Sequence, residues 1–292
     1  MLLMYPLCVQ LMEGASTISR KQGKEFEGAL VTNGVLITEE VINTLVIPYC
    51  EKVQVTMDGG RKAHNERRIC KDGSGTYDTL LGVLTLLTDA KRDVELRLNV
   101  DRENANTFTD LFRDLIDLGL QDMGVTVAWI HPPDADRFSE GCPGHAEKCF
   151  SREEMADFED QINMQMDELG IPRGNPTISS HNPCTFDRED IYLVDPYLDL
   201  YKCWEFIGQK DKKVGYIAEE GETVFTYEYY EQLSRNPLEY KECRDCTYLP
   251  MCAGGCAAQA YLENGTYHSS PCRKHKYALH KHVDRYMELF MQ

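Results

Sequence analysis

Cys243, Cys246, Cys252 and Cys256 follow one another with two, five and three residues between them, and Cys272 comes after a short gap. Cys184 and Cys203 lie upstream, so seven of the twelve cysteines fall in the last part of a 292-residue chain. Thiolates at this density suit a soft metal centre, zinc or iron–sulfur. A cubane takes four, so seven supply one complete 4Fe–4S cluster and three corners of another. The Cys243–Cys246 pair can hold two corners of one centre, and backbone N–H groups in such tight turns can hydrogen-bond to sulfur. Gly254 and Gly255 stand inside the run, where a backbone folding closely round a cluster needs residues without a Cβ. Zinc is the competing metal, but its sites usually come as two similar hooks, and this spacing does not repeat one. A disulfide scaffold is the remaining alternative, and a chain this long has no need of stapling. Cys8, Cys50 and Cys70 read as small buried apolar residues.

The elements that must carry these thiols begin in a strongly acidic chain, with a net charge of -17. That balance argues against a nucleic-acid partner, because a phosphate-tracking surface is basic. No apolar run is long enough to cross a bilayer, so no membrane partner is expected. The opening M-L-L-M-Y-P-L-C-V-Q-L-M has no Lys/Arg start and is interrupted by Pro6 and Gln10, unlike a signal peptide. It reads as the start of a helix that buries Leu7 and Leu11. A cytoplasmic location follows, where thiols stay reduced and free to ligate metal.

Strand and helix signals then alternate. Phe26 to Gly34 is an apolar run ended by a turn, and a helix follows from Thr38 with a capping-box start. Lys52 to Gly59 alternates as a strand, the segment from Gly75 is helical, and a strand starts at Val94. An amphipathic helix ends at Gly119, and a last strand starts near Met123. This order predicts a parallel sheet, with four strands visible. An irregular stretch from His131 to about Phe150 holds Cys142 and Cys149, and a long helix from Ser151 ends at Gly170. Short strands, turns and cysteines follow Pro183, placing a domain boundary between 172 and 183.

The C-x2-C-x5-C-x3-C run with its last cysteine, preceded by D-x-Y-x-D-x-Y-x-C-W from Asp195 to Trp204, resembles the SPASM domain of radical S-adenosylmethionine enzymes. The resemblance implies a maturase that modifies a peptide or protein by hydrogen abstraction and carries two auxiliary 4Fe–4S clusters. It implies that Cys243, Cys246, Cys252 and Cys272 hold the outer cluster and that Cys184, Cys203 and Cys256 hold the inner one. The fourth inner position is then open, or filled by Cys142, Cys149 or a substrate group. Leu198 stands where the family usually has glycine, which implies a different turn there. Trp204 stands where sulfatase-maturing members carry an acidic residue, which argues against that subclass.

The first half is similar to the same family. V-T-N-G from Val31, V-T-M-D-G-G from Val55 with H-N-E-R-R and G-S-G-T-Y-D behind it, R-L-N-V from Arg97 and V-A-W-I-H-P from Val127 resemble the third to sixth strands of its barrel. The expected fold is α/β: a partial (β/α)6 radical-SAM barrel of about four parallel strands in residues 1–175, then a small cysteine-rich SPASM domain in residues 176–292. Polar residues at the carboxyl ends of parallel strands face the ligand mouth, which nominates Thr32, Asn33, Thr56, Asp58 and Asn99 for S-adenosylmethionine or substrate. Asn-Gly and Asp-Gly also suit ordinary turns. The resemblance further implies a peptide or protein substrate and an electron donor such as flavodoxin or ferredoxin.

The C-x3-C-x2-C loop that binds the S-adenosylmethionine cluster in this family is absent from the sequence: Cys252 and Cys256 begin it, but Gln259 stands in third place. The resemblance implies that the first two barrel strands stand upstream of Met1, as in a truncated gene product, or that a degenerate homologue kept the rear of the barrel. The chain alone is then expected to make no adenosyl radical and to expose the edge of its first strand. A non-catalytic iron–sulfur or zinc-binding partner protein is the alternative.

Overall fold

The computed structural model describes residues 2–130, 148–172 and 184–272, with 283, 284 and 287 beyond them. Cys142 and the stretch 131–147 lie outside the described residues, as does the segment 173–183. The chain divides into two compact units, Met1–Asn175 and Pro176–Gln292.

In the first unit a four-stranded parallel sheet runs in the order β1 (Gly28–Thr32), β2 (Cys50–Met57), β3 (Asp93–Val100) and β4 (Gly124–Trp129). These are the four parallel strands expected, paired in chain order. Among the described residues β1 pairs on one side only, leaving Val31 exposed. Alternation along β3 buries Val94, Leu96, Leu98 and Val100, and β2 contributes Val53, Val55 and Met57 to the same core. Each crossover is helical. Helix α1 (Tyr5–Lys21) precedes the sheet, and α2 joins β1 to β2 as Glu39–Val41, a π-helical turn Ile42–Val46, and Ile47–Tyr49. Pro48 has no N–H to return to the helix, and the turn ahead of it is the widened one. Then come α3 (Arg61–Arg67), α4 (Tyr77–Asp89), α5 (Phe108–Asp117) and α6 (Arg152–Glu168). The faces that α4 and α5 bury carry Leu80, Leu84 and Leu87, and Phe108, Leu111 and Leu115, at helical spacing.

Two local expectations are corrected. Helix α1 forms, but Leu7 and Leu11 are exposed, while Cys8 is buried and Tyr5, Val9 and Met12 pack on the core. The helix carries two apolar stripes, and only packing chooses between them. Thr38 caps α2, its Oγ1 accepting from the Val41 N–H at 3.3 Å, but the third helical residue is Val41, so the reciprocal half of a capping box is missing. A complete box stands instead at α6. There the Ser151 Oγ accepts from Glu154 N–H at 3.3 Å, and the Glu154 carboxylate accepts from Ser151 N–H at 2.8 Å.

The second unit holds a small antiparallel sheet of β5 (Leu193–Val194), β6 (Asp199–Tyr201), β7 (Gly215–Ile217) and β8 (Thr223–Phe225). Four short helices follow: α7 (Tyr227–Leu233), α8 (Lys241–Arg244), α9 (Leu249–Cys252) and α10 (Ala257–Asn264). Phe186, Tyr201, Phe206, Ala257, Ala258 and Tyr267 make its core, with Cys203 and Cys256 packed against them. The turn between β5 and β6 also departs from expectation. Leu198 adopts the left-handed conformation at φ 63° that glycine takes without cost, so the turn is one that glycine would make and leucine bears the strain. Asp195 holds it, its Oδ1 accepting from the Tyr197 and Asp199 N–H groups at 2.8 and 3.0 Å.

Candidate functional site

Two groups of chemistry-bearing residues stand out, one in each unit. In the first unit, Thr32 closes β1, Thr56 lies at the end of β2 with Asp58 just past it, and Asn99 lies near the end of β3. All are at the carboxyl edge of the parallel sheet, where their spacing put them. Their side chains differ in what they have left to offer. Thr32 Oγ1 accepts from Gly34 N–H at 3.1 Å and shapes the turn, whereas Asn33 is exposed. Thr56 is buried. Asp58 is also buried, with both carboxylate oxygens held by Arg68 at 2.8 and 3.1 Å. Asn99 Oδ1 accepts from Arg97 Nε at 3.2 Å.

The segment after Asp58 adds residues to this edge whose roles have no signal of their own in the sequence. Asp58 N–H donates to His64 Nδ1 at 3.2 Å, so His64 carries its proton on Nε2, 2.9 Å from Thr76 Oγ1. Thr76 in turn donates to the Arg68 carbonyl at 3.3 Å, and Arg68 returns to Asp58, closing a ring of polar contacts. His64 is fully buried, and burial, with a smaller contribution from Arg68 and partial opposition from Asp58, brings its pKa down to about 4. The imidazole is therefore a neutral strut at neutral pH. Arg67 pairs with Asp101 through two contacts at 2.7 and 2.9 Å. Burial opposes the charged form of Asp101, but Arg67 and the backbone N–H groups of Asn104 and Glu103 hold its carboxyl below the usual range. Fully buried Asn104 joins the strand ends, its Nδ2 donating to the carbonyls of Asp58 at 3.0 Å and Asn99 at 2.7 Å. The only sequence signal for this lattice was an H-N-E-R-R segment three residues behind Asp-Gly-Gly.

In the second unit the fold sorts the thiols by the neighbours each one feels. Burial pushes the Cys203 thiol up to about 12; the Glu205 N–H opposes this, and the nearby Cys256 and Cys184 add to it. Cys252 is likewise raised by burial and opposed by the Gly255 N–H, with Cys243 and Cys272 as its thiol neighbours. Cys246 sits one turn beyond Cys243, donating its N–H to the Cys243 carbonyl at 3.0 Å. Cys256 caps α10, its sulfur accepting from Gln259 N–H at 3.5 Å. Between Cys252 and Cys256, three successive residues, Ala253, Gly254 and Gly255, are left-handed. A Cβ on Gly254 would stand 2.5 Å from Pro237 Cγ, and one on Gly255 3.1 Å from Pro271 Cγ, so the turn is a cradle only glycine fits. Soft donors around such a cradle fit a thiolate-held cluster. Among the described residues no three His, Cys, Asp or Glu side chains converge to hold a single metal ion. Cys149 is buried in the first unit, as are Cys8 and Cys50; Cys70, expected to be buried, is half-exposed in a turn. Trp204, beside Cys203, is 68% exposed. No helix is long and apolar enough to cross a membrane among the described residues.

A carboxyl-edge mouth on a partial parallel barrel, followed by a cysteine-rich unit, is the arrangement of the radical S-adenosylmethionine/SPASM maturases, and this chain is similar to them. It is 24% identical over 238 residues to the mycofactocin maturase MftC of Mycolicibacterium smegmatis, covering 79% of this chain and 59% of that protein. Among solved structures, anSMEcpe with bound AdoMet superposes with a TM-score of 0.66 at 16% identity, over 96% of this chain and 77% of that one. Streptococcus suis SuiB bound to its precursor peptide SuiA superposes with a TM-score of 0.53 at 11% identity, over 82% and 57%. At these identities the structural likenesses establish the fold. No family model matches the chain.

Proposed function

We propose that the chain supplies the later barrel strands and the auxiliary-cluster domain of a radical S-adenosylmethionine maturase acting on a peptide or protein. Cys243, Cys246, Cys252 and Cys272 hold one 4Fe–4S cluster, and Cys184, Cys203 and Cys256 hold three corners of a second. The observation that carries this reading is the left-handed turn Ala253–Gly254–Gly255 that joins Cys252 to Cys256, closed by Pro237 and Pro271, with Cys203 and Cys256 packed against one core. In an intact enzyme of this kind, S-adenosylmethionine reductively cleaved at its own cluster would supply the adenosyl radical that abstracts hydrogen. The mouth formed by Thr32, Asn33, Thr56 and Asn99 orients it or the substrate, with exposed Asn33 making direct contact and Asp58 acting through Arg68. Peptide-bound SuiB supports a peptide as partner. A cytoplasmic setting with a flavodoxin or ferredoxin donor completes the reading.

Anaerobic reconstitution with iron and sulfide tests it. Two cubanes require about eight iron per chain, with equal sulfide, and a colourless protein holding stoichiometric zinc would overturn the proposal. A second reading is a non-catalytic iron–sulfur partner protein. It expects no 5'-deoxyadenosine from the reconstituted chain alone, and sustained cleavage of S-adenosylmethionine would rule it out.

A further inference from the structure

Arg235 is a buried cation in the second unit, with only 1% of its side chain exposed. It lies outside every cysteine motif, and its contacts reach the backbone of both thiol sets. Its Nη2 donates to the carbonyls of Gly254 at 2.7 Å and Gly255 at 3.0 Å, inside the turn from Cys252 to Cys256. Its Nη1 lies 3.4 Å from Asp187 Oδ1, and the Asp187 N–H donates to the Cys184 carbonyl at 2.9 Å. The guanidinium also stands 5.9 Å from the centre of the Tyr240 ring, and the Tyr240 carbonyl accepts from the Cys243 N–H at 3.0 Å.

The direction of these bonds matters. The Gly254 carbonyl and the Gly255 N–H belong to one trans peptide plane and point opposite ways. With the carbonyl drawn to Arg235, the N–H turns back on Cys252, bonding its carbonyl at 3.0 Å. Hydrogen bonds to sulfur and the net charge around a cluster are two of the levers that set its reduction potential. Arg235 works the second: it places a permanent positive charge in a low-dielectric interior beside the turn from Cys252 to Cys256. One-electron reduction adds a negative charge to a cluster, and a fixed cation nearby favours that state.

Resting on the cluster reading above, we infer that Arg235 is a positioning residue that raises the reduction potential of the clusters held by this unit, with Asp187 as the carboxylate that moderates it. The experiment is an EPR-monitored redox titration of the reconstituted full chain and two variants. Arg235→Gln is expected to keep its iron and to shift the oxidised-to-reduced ratio at fixed poise at least tenfold toward oxidised, or 59 mV for a one-electron couple. Asp187→Asn leaves the guanidinium in place and removes the countercharge, so it is expected to shift the ratio the opposite way. Asp187 is partly exposed, so this variant keeps the test decisive if Arg235→Gln loses its clusters. A purely structural role would lower iron content in both variants without opposite shifts in potential. Unchanged potentials in an iron-loaded Asp187→Asn protein overturn the inference alone. A wild-type chain that takes up no iron–sulfur cluster overturns the cluster reading together with it.

Discussion

Acidification should weaken the first unit through a single imidazole. His64 titrates near 4 in the folded chain against 6.5 for an ordinary histidine, because it is buried with Arg68 nearby, and Asp58 only partly offsets this. The unfolded chain therefore takes up the proton first. The stabilisation is fully present above pH 6.5 and is lost as pH falls toward 4, and integrating across that window gives about 3 kcal/mol. The structural cost is explicit: a protonated Nδ1 cannot accept from the Asp58 N–H, and that buried donor loses its partner. His64→Gln keeps the geometry without the titration, since an amide oxygen can accept from Asp58 and its NH2 can donate to Thr76. The assay is urea unfolding between pH 4 and 7 in a Trp204→Phe background, which leaves Trp129 on β4 as the only tryptophan and reports on the first unit. Carboxylates titrate in both proteins, so the difference between them isolates His64. Wild type should lose about 3 kcal/mol relative to His64→Gln on going from pH 7 to pH 4. Parallel curves would refute the neutral-strut assignment.

Other perturbations separate local strain from buried charge. Arg67→Ala strips a partner from the Asp101 carboxylate, which is 3% exposed, and should cost roughly 3–5 kcal/mol in the same unfolding assay; a loss below about 1 kcal/mol would mean that water reaches Asp101. Gly254→Ala puts a Cβ 2.5 Å from Pro237 at φ 81° and should cost at least about 1 kcal/mol while lowering iron content; full iron loading with unchanged melting would contradict the cradle. Leu198→Gly removes a left-handed strain of about 1–2 kcal/mol against a glycine entropy cost of about 0.5–1 kcal/mol. It should therefore leave the second unit as stable or slightly more so, and a marked fall in its melting temperature would show that the leucine side chain holds the turn.

The element types were legible from the amino-acid pattern alone. Period-two and helical spacing located the four strands and the helices between them, because local backbone geometry repeats on a scale that neighbours in sequence can report. The strand-end polar residues were legible because the carboxyl edge of a parallel sheet follows from chain direction. Tertiary structure decided which local option each residue took. It chose between the two apolar stripes of α1 and put leucine in a glycine conformation at residue 198. It also committed Asp58 to Arg68, made His64 a buried neutral strut, and brought Arg235 onto a turn nearly twenty residues away. None of these has a local signature. Burial and charge pairing depend on partners brought together by the fold, and sequence distance carries no record of them.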